Sequence, residues 1–270
     1  MPSLHANGTE VHFAEAGAGG APLLMVHGTL GDQRSFGAQM APLAEAGFHV
    51  MALSMRHCWP GSWPAEGGDF RIDTHVADVA AFITALGRGP VALLGHSRGG
   101  HIAFRVAERH PDLLRALLLA EPGGDLDDDL RGGPAGAPQA GAFGRAADLV
   151  AAGDEEAALK VIAEHTGGPG AWERRPEARK AISRANARTM LGQRNEARRP
   201  YSRAAAAAIR TPTLFLYGAN TRPNFVANVK ALSGVIAGSE VAVIPDATHG
   251  LPYENPRDFN AAVVDFLRGR

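Results

Sequence analysis

The pentapeptide Gly95-His96-Ser97-Arg98-Gly99 constrains this chain more than any other stretch, because an apolar run leads into it and helical spacing leads out. Pro90-Val-Ala-Leu-Leu94 suits a short strand buried on both faces, and residues 100–110 carry the apolar periodicity of a helix. A serine between two such elements has to turn the chain sharply, in a strained conformation that lifts its hydroxyl above the sheet. Side chains two residues to either side would collide with the neighbouring elements, and glycine at 95 and 99 removes those collisions. Ser97 is thereby a candidate nucleophile. The chain holds 33 glycines, so the motif draws its weight from its flanks and from what other segments bring to it.

Those segments alternate. Asn7-Gly8 is a hairpin turn signal between short strands at 4–6 and 10–16. Apolar runs then follow at 23–26, 49–53, 91–94, 114–120, 213–217 and 241–244, and helical spacing separates them at 33–46, 73–86, 100–110, 224–237 and 256–267. The alternation predicts an α/β class chain with a parallel sheet covered by helices on both faces. It breaks between Glu121 and about Arg210. There, residues 132–144, rich in Gly, Pro and Ala, read as a loop leaving the sheet, and two or three helical stretches follow over 145–208. The expected organisation is a core domain of residues 1–121 and 211–270 with a helical cap, 122–210, inserted into it. A length of 270 residues with 45% hydrophobic and 20% charged residues is enough to bury one such core.

A formal net charge of −1 gives no bulk electrostatic reason to expect nucleic acid or an anionic membrane as partner, and a small neutral molecule fits better. The first residues lack a basic stretch followed by an apolar one, and no run approaches the roughly 20 apolar residues of a membrane span. The expectation is a cytoplasmic protein, with which the single cysteine, Cys58, agrees. No His, Cys and carboxylate cluster has metal-ligand spacing, so neither a metal nor another cofactor is expected.

In an open parallel sheet, functional groups gather beyond the carboxyl ends of the strands. His27-Gly28-Thr29-Leu30-Gly31 follows the run at 23–26, Ser97 follows that at 91–94, Glu121-Pro122-Gly123-Gly124 follows that at 114–120, and Pro245-Asp246-Ala247-Thr248-His249-Gly250 follows that at 241–244. Nucleophile, acid and base thus occur in the order Ser, Glu, His. Asp246 and Asp125 are the other carboxylates considered for the acid, although Asp246, three residues before His249, reads more plainly as a turn residue.

With these motifs together, the chain resembles the α/β-hydrolase superfamily over nearly its whole length. The resemblance implies an α/β-hydrolase fold: an eight-stranded, mostly parallel sheet with a lid inserted after strand six. It also implies a serine-histidine-acid mechanism with Ser97 as nucleophile and His249 as base, and an oxyanion hole from the backbone N–H groups of Thr29 and Arg98. The commonest acid in the superfamily is an aspartate after strand seven. Here Gly218-Ala219-Asn220-Thr221 puts a threonine at that place, and Glu121 occupies the alternative position after strand six. Zearalenone-type lactone hydrolases look similar in both respects. The implied activity is cleavage of a carboxylic ester or lactone, with carbon-carbon bond hydrolysis or lyase chemistry on the same triad as an alternative and a slow-turnover small-molecule receptor as another. Epoxide hydrolysis is disfavoured, because that chemistry uses aspartate where this chain has Ser97.

The loop Arg56-His57-Cys58-Trp59-Pro60-Gly61-Ser62-Trp63-Pro64 belongs at the rim of the pocket, which makes His57, Trp59 and Trp63 candidate substrate contacts. Leu30 from the oxyanion loop and Phe143 and Trp172 from the cap complete that set. His27 reads as a residue fixing the oxyanion loop, and His5, His12, His75 and His110 as solvent-facing. The cap segment 171–203 holds ten Lys or Arg residues against Glu173, Glu177 and Glu196. Most read as solvated helix faces pairing with acids such as Asp127 to Asp129, and the sharper alternative is a lid that attracts an acidic substrate.

Overall fold

A computed structural model describes residues 1–131, 140–194, 196 and 198–268. Eight strands form one sheet: β1 (Ser3–Ala6), β2 (Thr9–Ala16), β3 (Ala21–Val26), β4 (Phe48–Leu53), β5 (Val91–His96), β6 (Leu114–Ala120), β7 (Thr213–Gly218) and β8 (Glu240–Ile244). Their order is β1-β2-β4-β3-β5-β6-β7-β8. The hairpin β1-β2 turns at Asn7 and Gly8, both left-handed with φ 47° and 72°, as a tight two-residue turn requires. β2 runs antiparallel to β4, and every pairing from β4 through β8 is parallel.

Helices cover both faces, so the central strands are mostly apolar; every residue of β4, His49 included, is buried. The period of two divides their side chains between two cores. Leu24, Val26, Leu93, Leu117 and Leu119 pack with helices α2 (Ile72–Leu86), α3 (Arg98–Arg109) and α10 (Pro223–Ser233) through Phe82, Phe104 and Leu232. Leu23, Met25, Leu94 and Leu118 pack on the other face with α1 (Gly37–Glu45) and α12 (Pro256–Arg268) through Leu43 and Phe259. The single helix expected over 33–46 is instead a 3-10 turn, Gln33–Phe36, followed by α1. Asp32 caps that turn: its side chain accepts the Arg34 N–H at 2.9 Å and its own N–H donates to Ser35 Oγ.

Between β6 and β7 lie α4 (Asp128–Arg131), α5 (Ala140–Ala151), α6 (Glu155–Gly167), α7 (Ala171–Arg174), α8 (Glu177–Ala185), the 3-10 stretch Ala187–Gln193 and α9 (Arg203–Ala208). These are more and shorter helices than the sequence pattern predicts. Left-handed Gly153, Gly168 and Gly170 and the helix-breaking Pro176 divide what hydrophobic spacing alone joins. Of the loop expected over 132–144, residues 132–139 lie outside the described residues and 140–144 open α5. The helical segment has its own apolar cluster, including Phe143, Leu159, Ile162, Trp172 and Met190, and Leu30 from the loop after β3 belongs to it. α11 (Leu251–Glu254) leads into α12. Among the described residues no helix is long and apolar enough to cross a membrane.

The glycines of the β5-α3 turn are fixed by backbone proximity. A Cβ on Gly99 would stand 2.1 Å from the Val26 carbonyl oxygen and 2.5 Å from that of His27, and one on Gly95 would stand 2.2 Å from the Gly99 oxygen. A strand backbone cannot move aside as a flexible side chain would. Gly99→Ala is therefore expected to lower the unfolding free energy by about 3 kcal/mol. Gly37→Ala, where a Cβ meets nothing within 4 Å, should shift it by less than about 1 kcal/mol. Urea titration of both variants measures the difference, and equal midpoints would refute the steric account.

Candidate active site

The turn from β5 into α3 holds Ser97 at φ 53° and ψ −115°. For a residue with a Cβ this conformation costs on the order of 1–3 kcal/mol, so the surroundings have to impose it. They do so through the backbone: Ser97 N–H donates to the Ala120 carbonyl at 2.9 Å, while the Ser97 carbonyl accepts from His101 and Gly123 N–H groups at 3.1 and 2.9 Å. Glu121, Leu30 and Asp246 also have positive φ, each just beyond a strand's carboxyl end. Strain is thus concentrated along the edge of the sheet where the sequence motifs meet.

Glu121 is fully buried at the end of β6, and its carboxylate accepts three hydrogen bonds. Gly218 N–H donates to Oε1 at 2.8 Å, Thr221 Oγ1 donates to Oε2 at 2.8 Å, and His249 Nδ1 donates to Oε2 at 2.6 Å. The threonine at the departing position after β7 therefore orients the carboxylate supplied by β6. The bond at Nδ1 fixes the imidazole tautomer, leaving Nε2 as its acceptor. Phe225 stacks on the His249 ring at 4.0 Å and 15°, and His96 Nε2 donates to the His249 carbonyl at 2.8 Å. Asp246 and Asp125 are exposed.

The loop after β3 is held by His27. Met55 N–H donates to His27 Nε2 at 3.0 Å, so the ring proton sits on Nδ1, which donates to the Gly28 carbonyl at 2.8 Å. A Cβ on Gly28 would lie 3.0 Å from Ser97 Cβ, which places this loop directly against the serine. Thr29 Oγ1 donates to Gln193 Oε1 at 3.1 Å, tying the loop to the helical segment. Arg98, first residue of α3, has a fully buried side chain; it donates to the Phe70 carbonyl at 2.5 Å and pairs with Glu196.

Burial holds the His27 imidazole neutral, lowering its pKa from 6.5 to about 4. Burial likewise lowers His75, His96 and His101 well below the ordinary value. The unfolded chain takes up these protons below pH 6.5 and the folded chain does not, so stability falls as pH drops from about 6.5 toward 4. His27 alone accounts for about 3 kcal/mol across that window. Urea unfolding at pH 7.5, 6 and 5 should show the decline, and a flat profile would contradict it.

Ser97 and His249 open into one cavity of about 410 Å³, whose wall also includes Thr29, Leu30, Arg175 and Arg179. Core strand ends and the helical segment contribute to the same enclosure. Among the described residues no group of three or more His, Cys, Asp or Glu side chains is placed to hold a metal ion.

Residues 21–256 match the family model described as alpha/beta hydrolase fold. The chain belongs to that family. Among its relatives, the bifunctional epoxide hydrolase 2 of Sus scrofa is 31% identical over 110 residues, which is 41% of this chain and 20% of that protein. The chain thus spans a fifth of that relative's length. The AB hydrolase superfamily protein YisY of Bacillus subtilis is 28% identical over 286 residues, covering 96% of this chain and 97% of its own. A thermophilic esterase from Thermogutta terrifontis superposes with TM-score 0.80 at 25% identity, covering 99% of this chain and 98% of its own. The enol-lactonase from Burkholderia xenovorans LB400 shares the fold at TM-score 0.76 and 22% identity, covering 99% and 100%.

Within this alpha/beta hydrolase, Leu30 is the one of six expected substrate contacts that lies in the cavity wall. The other five pack elsewhere. His57 meets the Trp63 ring edge-on at 5.5 Å, and Trp63 meets Phe70 at 6.0 Å and lies against Gly192. Trp59 N–H donates to Asn186 Oδ1 at 2.8 Å while its ring supports the Arg34 guanidinium at 3.9 Å. Phe143 is buried in the helical segment's own cluster, and buried Trp172 donates from Nε1 to Glu156 at 3.0 Å. Trp59 and Trp63 thus join the loop after β4 to the helical segment, a role that a loop sequence does not distinguish from substrate contact. His75, expected at the surface, is buried against Phe70 at 4.6 Å. The wall also includes Arg174, Arg175, Arg179 and Tyr253, none of them among the expected contacts. The arginines had only the basic stretch as a sequence signal, and Tyr253 had none.

Proposed function

We propose that this alpha/beta hydrolase is a serine hydrolase of carboxylic esters or lactones, with Ser97 as nucleophile, His249 as base and Glu121 as acid. The observation that carries the reading is the 2.6 Å bond from His249 Nδ1 to a fully buried Glu121, with His249 and Ser97 in the wall of one cavity. In this mechanism Ser97 Oγ attacks the carbonyl carbon as its proton passes to His249 Nε2. Glu121 stabilises the imidazolium. The negative charge on the carbonyl oxygen meets the backbone N–H groups of Thr29 and Arg98, each worth roughly 3 kcal/mol. The carbon–oxygen bond then breaks, and the alcohol leaves with the proton from Nε2. Water attacks the acyl-enzyme, gives its proton to the same nitrogen, and releases the acid as Ser97 recovers its own.

Residues 122–210 act in this reading as a lid inserted into a core of residues 1–121 and 211–270. Its support is the contact of the segment with the loop after β3: Thr29 bonds Gln193, Leu30 joins the segment's apolar cluster, and Arg179 donates to the Ser35 carbonyl at 3.0 Å. The epoxide hydrolases among the relatives match less than half of this chain, and Ser97 stands where that chemistry calls for aspartate. The test is labelling of the native protein with a fluorophosphonate, followed by mass mapping of the adduct. A stoichiometric adduct on Ser97 is expected, whereas an unlabelled serine would remove the mechanism.

A further inference from the structure

The basic stretch of the helical segment divides into two kinds of arginine. Four members pair with carboxylates: Arg184 with Glu156 and Glu177, Arg194 with Asp148, Arg198 with Glu196, and Arg199 with Glu108. Arg174, Arg175 and Arg179, which line the cavity, have no carboxylate within ion-pair distance among the described residues. Three guanidinium groups without a carboxylate partner thus stand on the side that faces Ser97 and His249.

Neutral acceptors hold these side chains in place. Arg179 donates to the Ser35 carbonyl at 3.0 Å, and its guanidinium lies 4.4 Å over the Tyr253 ring. Arg175 donates to Ser183 Oγ at 3.2 Å, and the more exposed Arg174 donates to the Pro169 carbonyl at 2.9 Å. A guanidinium carries five N–H donors, so each fork is positioned while most of its donors stay available. Burial works against the charged form of Arg179, a cost that a bound anion would offset. The charge of Arg179 also bears on His27 and His96, which flank the oxyanion loop and the serine. Among the described residues the one carboxylate in the wall, Glu254, is engaged by Thr248, accepting its N–H at 2.6 Å and its hydroxyl at 2.9 Å.

We infer that the substrate is an ester or lactone bearing a carboxylate, which the guanidinium groups of Arg175 and Arg179 bind while its ester carbonyl lies at Ser97. The planar fork matches a carboxylate, and the negative charge of Glu254 in the same wall disfavours a dianion such as phosphate. This inference rests on the esterase reading above and adds the substrate class to it.

Two matched pairs of substrates test it: p-nitrophenyl hydrogen glutarate against p-nitrophenyl butyrate, which places the carboxylate on the acyl side, and 4-acetoxybutanoate against its methyl ester, which places it on the alcohol side. At least one anionic member should exceed its neutral partner in kcat/KM by about 100-fold. Arg175→Met and Arg179→Met should each reduce that ratio by about tenfold, and Arg179→Lys should restore part of it. Ratios within about threefold for both pairs in the native protein would overturn the inference, as would arginine variants that slow both members of a pair equally. Calorimetry on Ser97→Ala separates this outcome from failure of the esterase reading. Monoethyl glutarate should bind about tenfold more tightly than diethyl glutarate whether or not turnover is seen, and equal affinities would refute the anion site.

Discussion

Ser97→Ala is expected to fold as the parent does and to lose kcat toward p-nitrophenyl acetate by about six orders of magnitude. Alanine keeps the Cβ that packs against Gly28 and the backbone bonds to Ala120, His101 and Gly123, so the strained turn is preserved and only the attacking oxygen is removed. Catalysis that survives would come from the oxyanion donors and from binding, which by themselves accelerate such reactions by about 10³ to 10⁴ over water. Steady-state rates for the variant, with circular dichroism as a check on folding, measure this. Activity within tenfold of the parent would mean that another group attacks the ester. Loss of activity without loss of structure would place the chemistry on one oxygen atom.

The alternation of strands with helices and the motif loops were legible because both follow from short-range pattern. Runs such as 23–26 and 114–120 are apolar because helices cover both faces of the sheet, and the residues after them stand at its carboxyl edge whatever the details of packing. What escaped the sequence depends on contacts between distant segments. Thr221 read as a departure from a familiar acid position, and its use emerges only when its hydroxyl meets Glu121, 100 residues earlier in the chain. Arg98 occupies a position whose side chain hydropathy assigns to solvent, yet it is fully buried against Phe70 and Glu196. Trp59 and Trp63 are bulky apolar residues in a loop near the site, a description equally true of a substrate wall and of a seam between segments. The arginines were visible as a basic run, but Glu156, Asp148 and Glu108, which pair with Arg184, Arg194 and Arg199, lie on other helices. Which cations remain unpaired is a property of the fold.

The remaining large effect concerns the acid. Glu121→Gln is expected to cut kcat by about 10⁴, while Asp246→Asn changes it by less than about threefold. The Glu121 site receives three donors, from Gly218, Thr221 and His249, and a carboxylate can accept all of them. A glutamine amide cannot. With its oxygen toward Gly218 N–H, its NH₂ faces His249 Nδ1 and donates to it, which moves the imidazole proton to Nε2 and leaves no acceptor for the Ser97 proton. With the amide reversed, NH₂ confronts the Gly218 N–H in a fully buried position, at a cost of about 1–3 kcal/mol, and the imidazolium still loses its counter-charge. Neither orientation supports catalysis, and the reversed one also lowers stability. Asp246 instead sits exposed in the turn before His249 with φ 51°, where asparagine takes the same left-handed conformation readily. Parallel kcat measurements on the two variants decide between the carboxylates, and the opposite ranking would transfer the acid to Asp246, leaving the buried triple-donor site at Glu121 a purely structural one.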